Sequence, residues 1–112
     1  MIIDIVVCDY LNEHASVPVY LERPARKPSR FILVEKTGSA RSNHINEATI
    51  AVQSWAPRLF EAAALNEEVK TIMDNLIELD CISRSQLNTD YNFTNTADKQ
   101  YRYQAVYDIT YY

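Results

Sequence analysis

The chain has 112 residues, 47% hydrophobic and 23% charged, with eleven Lys and Arg against fifteen Asp and Glu for a formal net charge of −4. That is the length and composition of one globular domain, able to bury a core without disulfides or metal. The single glycine, Gly38, excludes phosphate-cradling loops and nucleophile elbows, which need several glycines where backbone approaches a ligand.

Cys8 and Cys81 form no C-x-x-C pair, and His14 and His44 form no H-x-x-x-H pair, so the spacing expected of metal ligands is absent. No metal or cofactor is expected, and the cysteines read as free thiols of a reducing compartment. The apolar start, residues 1–8, lacks a basic lead, contains Asp4 and is far too short to span a membrane. The expectation is synthesis in the cytoplasm with no membrane partner. The acidic total argues against nucleic acid as a partner, since a basic face is needed to release counterions. Charge is uneven, however: residues 1–56 carry six bases and six acids, residues 57–112 five and nine.

In chain order, Ile3, Val6, Val7, Tyr10 and Leu11 fall at helical spacing and predict an N-terminal helix. Val17, Val19 and Leu21 alternate with Pro18 and Tyr20, predicting a short strand at a sheet edge because proline cannot donate to a ladder. Residues 31–36 are apolar on both faces and predict a central strand that Gly38 ends. Residues 39–46 read as a long mobile hairpin loop, after which Ala48, Ile50 and Val52 alternate through to Trp55 as the partner strand.

Pro57 suits a first helical turn, and Ala62, Leu65, Val69, Ile72, Leu76 and Leu79 then repeat at spacings of three and four, predicting the main helix. Its other face is acidic, with Glu61, Glu67, Glu68, Asp74 and Glu78. Residues 83–100 are polar without periodicity and read as a second loop. From Tyr101 onward, strict alternation puts Tyr101, Tyr103, Ala105, Tyr107, Ile109 and Tyr111 on one face of a closing strand. The expected fold is α+β, an antiparallel or mixed sheet of four to five strands flanked by the N-terminal helix and one long central helix, in a single domain over residues 1–112.

No catalytic constellation stands out. The helix carboxylates lie along a solvated flank, and Ser42 and His44 sit two apart in a segment that orients neither. Arg23, Arg26, Lys27 and Arg30 are four cations in eight residues, stiffened by Pro24 and Pro28. They suit an acidic partner surface, and the acidic helix face of a neighbouring copy, with Glu61 and Glu68, is one. Tyrosines on a half-buried strand, Tyr107 and Tyr111 among them, suit an interface between subunits.

Read in order, the predicted segments together with the strings P-x-x-x-P-x-R-F (Pro24 to Phe31), S-W-A (Ser54 to Ala56) and Y-R-Y-Q-A (Tyr101 to Ala105) make a pattern that spans nearly the whole chain. This pattern resembles the tail terminator proteins (tail completion or head-tail joining proteins) of long-tailed bacteriophages. The resemblance implies a virion protein, made in the host bacterial cytoplasm, that assembles as a ring homo-oligomer, a hexamer, and caps the head-proximal end of the tail. Its partners would be its own copies, the tail tube protein and the head completion or connector protein, with no enzyme chemistry. On this reading Arg41 and His44, in residues 39–46, would reach toward the tube and order on binding it. A head-side neck or adaptor protein, a small ligand-binding or regulatory domain, and an RNA-binding sheet that uses its tyrosines are the alternatives.

Overall fold

The apolar stripe at Ile3, Val7, Tyr10 and Leu11 does fold as a helix, α1 (Ile3–His14), with these side chains buried. Its β-branched residues cost a few tenths of a kcal/mol each in propensity, whereas burying a Val, Leu or Ile side chain contributes about 1.5–3 kcal/mol, so packing decides. Asp4 in the first turn complements the helix dipole. The computed structural model describes residues 2–26, 28–94 and 100–112. After α1 come β1 (Val19–Tyr20), β2 (Phe31–Ser42), β3 (Ile45–Ala56), α2 (Leu59–Asp74), a 3-10 helix (Leu76–Glu78), β4 (Ile82–Asn92) and β5 (Tyr101–Tyr111).

The five strands form one mixed sheet in the order β1-β2-β3-β5-β4, with β1 parallel to β2 and the remaining pairs antiparallel. This is the expected α+β architecture. Both helices cover one face, where Val7, Leu11, Val69 and Met73 meet Ile32, Ile50, Val52, Ala105, Tyr107 and Ile109 in the main core. Alternate residues of the same strands point the other way, and Phe31, Leu33 and Trp55 make a second, smaller cluster with Tyr20. The molecule is elongated, 45 × 25 × 24 Å.

Three expectations are corrected. The hairpin between β2 and β3 has no long loop: Ser42 pairs with Ile45, leaving the two-residue turn Asn43-His44. Both turn residues have positive φ, 52° and 64°, as the tight turns that match strand twist require. Polar exposed residues hid this strand extension because residues 35–42 are exposed on both faces and carry no alternation. Gly38 accordingly does not end β2. It lies just past a register shift between Lys36 and Gly38, where Thr37 is the extra residue.

The second correction concerns residues 83–100, since β4 occupies most of the stretch read as loop. It is an edge strand, so ladder hydrogen bonds to β5 hold it while most of its side chains face water. Residues 95–99 lie outside the described residues. The third concerns the main helix, which stops at Asn75, where the backbone N–H turns back to the Ile72 and Met73 carbonyls and the side-chain amide bonds the Thr71 carbonyl. Leu76 still reaches the core from the 3-10 helix, which explains why the apolar spacing ran on.

Candidate assembly surfaces

On the face without helices, Trp55 is only 1% exposed although no helix covers it. Phe31 stacks on it from β2 with ring centroids 5.3 Å apart and planes 13° from parallel. The Arg23 guanidinium lies 4.9 Å from the indole centroid and that of Arg102 4.7 Å, so a cation from the β1–β2 crossover and one from β5 both sit against it. Arg102 also covers Phe93 at 4.6 Å and donates from Nε to the Phe93 carbonyl at 2.6 Å.

A chain of side-chain hydrogen bonds continues across the sheet. Trp55 Nε1 donates to Gln53 Oε1 at 3.1 Å, Gln53 Nε2 to Gln104 Oε1 at 2.9 Å, and Gln104 Nε2 to the Tyr91 hydroxyl at 2.5 Å. It spans β3, β5 and β4, and it lets Gln53 be buried at a modest cost because its amide is paired. On the helix side, Asp90 of β4 accepts from Asn66 Nδ2 at 2.9 Å and from Lys70 Nζ at 3.0 Å. Glu67 bonds Lys70 at 2.9 Å, and these bonds, Glu67's first, hold the lysine's pKa above its ordinary value. β4 is thus pinned on both faces while, among the described residues, no strand pairs with its outer edge.

The predicted contact residues separate into three groups. Arg26 and Arg30 are exposed on the crossover with Arg23, while Lys27 lies outside the described residues. Arg41 and His44 are exposed at the far end of the sheet, where Arg41 Nε donates to Asn46 Oδ1 at 2.7 Å across the hairpin. That contact and the continuous pairing of residues 39–42 show an ordered hairpin, which overturns the expected mobile loop. Among the helix acids, Glu68 is engaged within the chain: the Ser16 N–H and hydroxyl donate to its carboxylate at 2.9–3.0 Å. Glu61 is half-buried, and its Oε2 is enclosed without a hydrogen-bond partner among the described residues.

Tyr107 must be removed from the interface candidates. It is 0% exposed, packs in the main core and donates its hydroxyl to the Lys70 carbonyl at 3.3 Å, because the central rows of β5 lie directly beneath α2. Tyr111, at the strand's end, is half-buried against the same core. Trp55 and Arg102 are not among the predicted contact residues, yet they stand inside the S-W-A and Y-R-Y-Q-A strings, and strand alternation places both on the face away from the helices.

A shallow open groove of about 400 Å³ runs over the far half of the same face, lined by Gly38, Thr49, Gln86, Asp108 and Thr110 among others. Its Asp108 already accepts from the Thr49 hydroxyl at 3.3 Å and Asn88 Nδ2 at 2.9 Å. Among the described residues, no helix is long and apolar enough to cross a membrane, and no three His, Cys, Asp or Glu side chains gather as metal ligands would. Cys8 and Cys81 are both free. The sequence matches no known family model and no curated protein.

Proposed function

We propose that this chain is a structural assembly protein of the tail terminator type, whose copies form a ring on the head-proximal end of a phage tail tube, stop its polymerisation and present a surface to the head connector. The observation that supports this reading is the uneven division of charge between a basic segment and an acidic one. Residues 22–41, which run along the β1–β2 side, carry six bases against two acids; residues 61–80, in α2 and the segment after it, carry six acids against one base. α1 packs over β1 and β2, while α2 lies over β3, β5 and β4, so the acidic stretch sits on the helix face above the middle of the sheet, with Glu68 and Glu78 turned to Ser16 and Tyr10.

A ring requires this kind of asymmetry. Each copy must offer one patch to the neighbour on its left and a different, complementary patch to the neighbour on its right. A two-fold dimer instead uses one self-complementary patch on both copies and closes at two. The test is to add purified protein to tail tubes lacking a terminator and image the tube ends. Rings at one end, and tubes that no longer elongate when tube protein is supplied, are expected. Tube ends left bare, with elongation unchanged, would overturn the proposal. The double substitution Arg26→Glu with Arg30→Glu should leave the fold intact and strongly reduce end occupancy, most visibly at low salt.

A further inference from the structure

We infer that neighbouring copies join by sheet extension, with the outer edge of β4 of one copy pairing antiparallel to residues 34–42 of β2 in the next. This rests on the self-assembly part of the reading above and specifies the contact. Among the described residues, nothing pairs with the outer edge of β4. β1 is two residues long and covers β2 only at Ile32 and Leu33, so from residue 34 to Ser42 the outer side of β2 is equally open. The sheet therefore has two long unsatisfied edges.

Strand direction and length both fit. β2 and β5 run one way, β3 and β4 the other, so a copy related by rotation presents its β2 antiparallel to β4, the relation every long pair inside the sheet already has. Following the register across the strands, Val34 shares a row with Val52, Ala105 and Asp90, and Arg41 shares one with Asn46, Tyr111 and Ile82. The open part of β2 and the first nine residues of β4 thus occupy the same rows.

At the next row β1 fills the space beside β2. It acts as a stop, since β4 can slide along the open edge only until its last residues, Tyr91 and Asn92, meet Val19 and Tyr20. A stop of this kind fixes one stagger between copies, and a sheet that closes on itself requires a fixed stagger. The bulges at Lys36/Gly38 in β2 and at Ile82/Arg84 and Leu87/Thr89 in β4 make both edges poor templates for an arbitrary strand, which protects the free chain from indiscriminate pairing.

The test is cysteine cross-linking in a Cys81→Ser background, Cys8 being buried. Ala40→Cys on β2 and Gln86→Cys on β4 lie on the same sheet face within two rows of each other in the paired edges. With a short bismaleimide at the highest soluble concentration, a mixture of the two single variants should give a mixed dimer, each variant alone none, and the double variant a ladder. Hydrogen exchange should slow with concentration only in residues 34–42 and 82–92. Self-cross-linking of Gln86→Cys alone would replace sheet extension by a two-fold contact, and no cross-link in any mixture would overturn the inference. Cross-linking without capture on tail tubes would leave the edge pairing standing and remove the terminator reading; capture without cross-linking would do the reverse.

Discussion

Tyr10 donates its hydroxyl to Glu78 Oε1 at 2.8 Å, with the Asn75 carbonyl also 3.0 Å away, so the middle of α1 is tied to the turn that ends α2 across 68 residues of sequence. The ring is buried, and His14 packs on it with centroids 4.4 Å apart. Burial first, then the bond to Glu78, push the phenol's pKa up to about 12. This bond joins the two helices at the point where the sequence stripe of α2 runs past the real end of the helix.

The pH dependence follows from the direction of that shift. The fold favours the protonated phenol, so its contribution is complete below the unfolded value near 10 and is lost as pH rises from there toward 12. Tyr107, also raised by burial, acts in the same direction. Denaturant titrations should show stability falling across this window. Tyr10→Phe should cost about 1–2 kcal/mol at neutral pH and flatten the alkaline fall; an unchanged slope would contradict the role given to Tyr10.

His44 occupies the left-handed region at φ 64° in a two-residue hairpin turn. A left-handed conformation costs a non-glycine residue about 1 kcal/mol, so His44→Gly should stabilise the protein by up to about 1 kcal/mol. A rise in Tm with an unchanged fold is expected in thermal unfolding.

Gly38 has an ordinary negative φ, and a Cβ built on it would meet nothing within 4 Å. The position does not require glycine. Gly38→Ala should therefore stabilise by about 0.4–1 kcal/mol through the lower entropy of the unfolded chain, measured as a shift of the urea midpoint at constant slope.

The cluster around Trp55 joins the crossover, β2, β3 and β5. Trp55→Ala should cost about 3–5 kcal/mol, whereas Arg102→Met, which keeps much of the aliphatic stem, should cost less, about 1–3 kcal/mol, through the lost cation–π attraction and the lost bond to the Phe93 carbonyl. Since Trp55 is the single tryptophan, its fluorescence should shift in Arg102→Met before the protein unfolds.

Local patterns carried the elements that one buried face dominates. α1, β3 and β5 write their apolar residues at the period of their own geometry, readable at Ile3, Ile50 and Tyr107, while the core half of β2 is a continuous apolar run, Phe31 to Val34, buried on both faces. β4 and the outer half of β2 were unreadable for the opposite reason. Edge strands owe their existence to a neighbour's backbone, and Arg84, Gln86 or Ser39 need not be apolar to lie in a ladder.

The candidate surfaces divide the same way. Uneven charge along the chain was visible in the amino-acid order alone, because charge belongs to the residue and not to its partners. Which acids remain available was decided by packing: Glu68 was claimed by Ser16 and Glu78 by Tyr10. From composition and periodicity the sequence determined an α+β domain with a helix-covered sheet and one basic and one acidic stretch. Only the tertiary structure decided that Glu68 and Glu78 of the acidic stretch face Ser16 and Tyr10, that Tyr107 is core, and that a two-residue β1 leaves most of β2 open, since each depends on which element lies beside which.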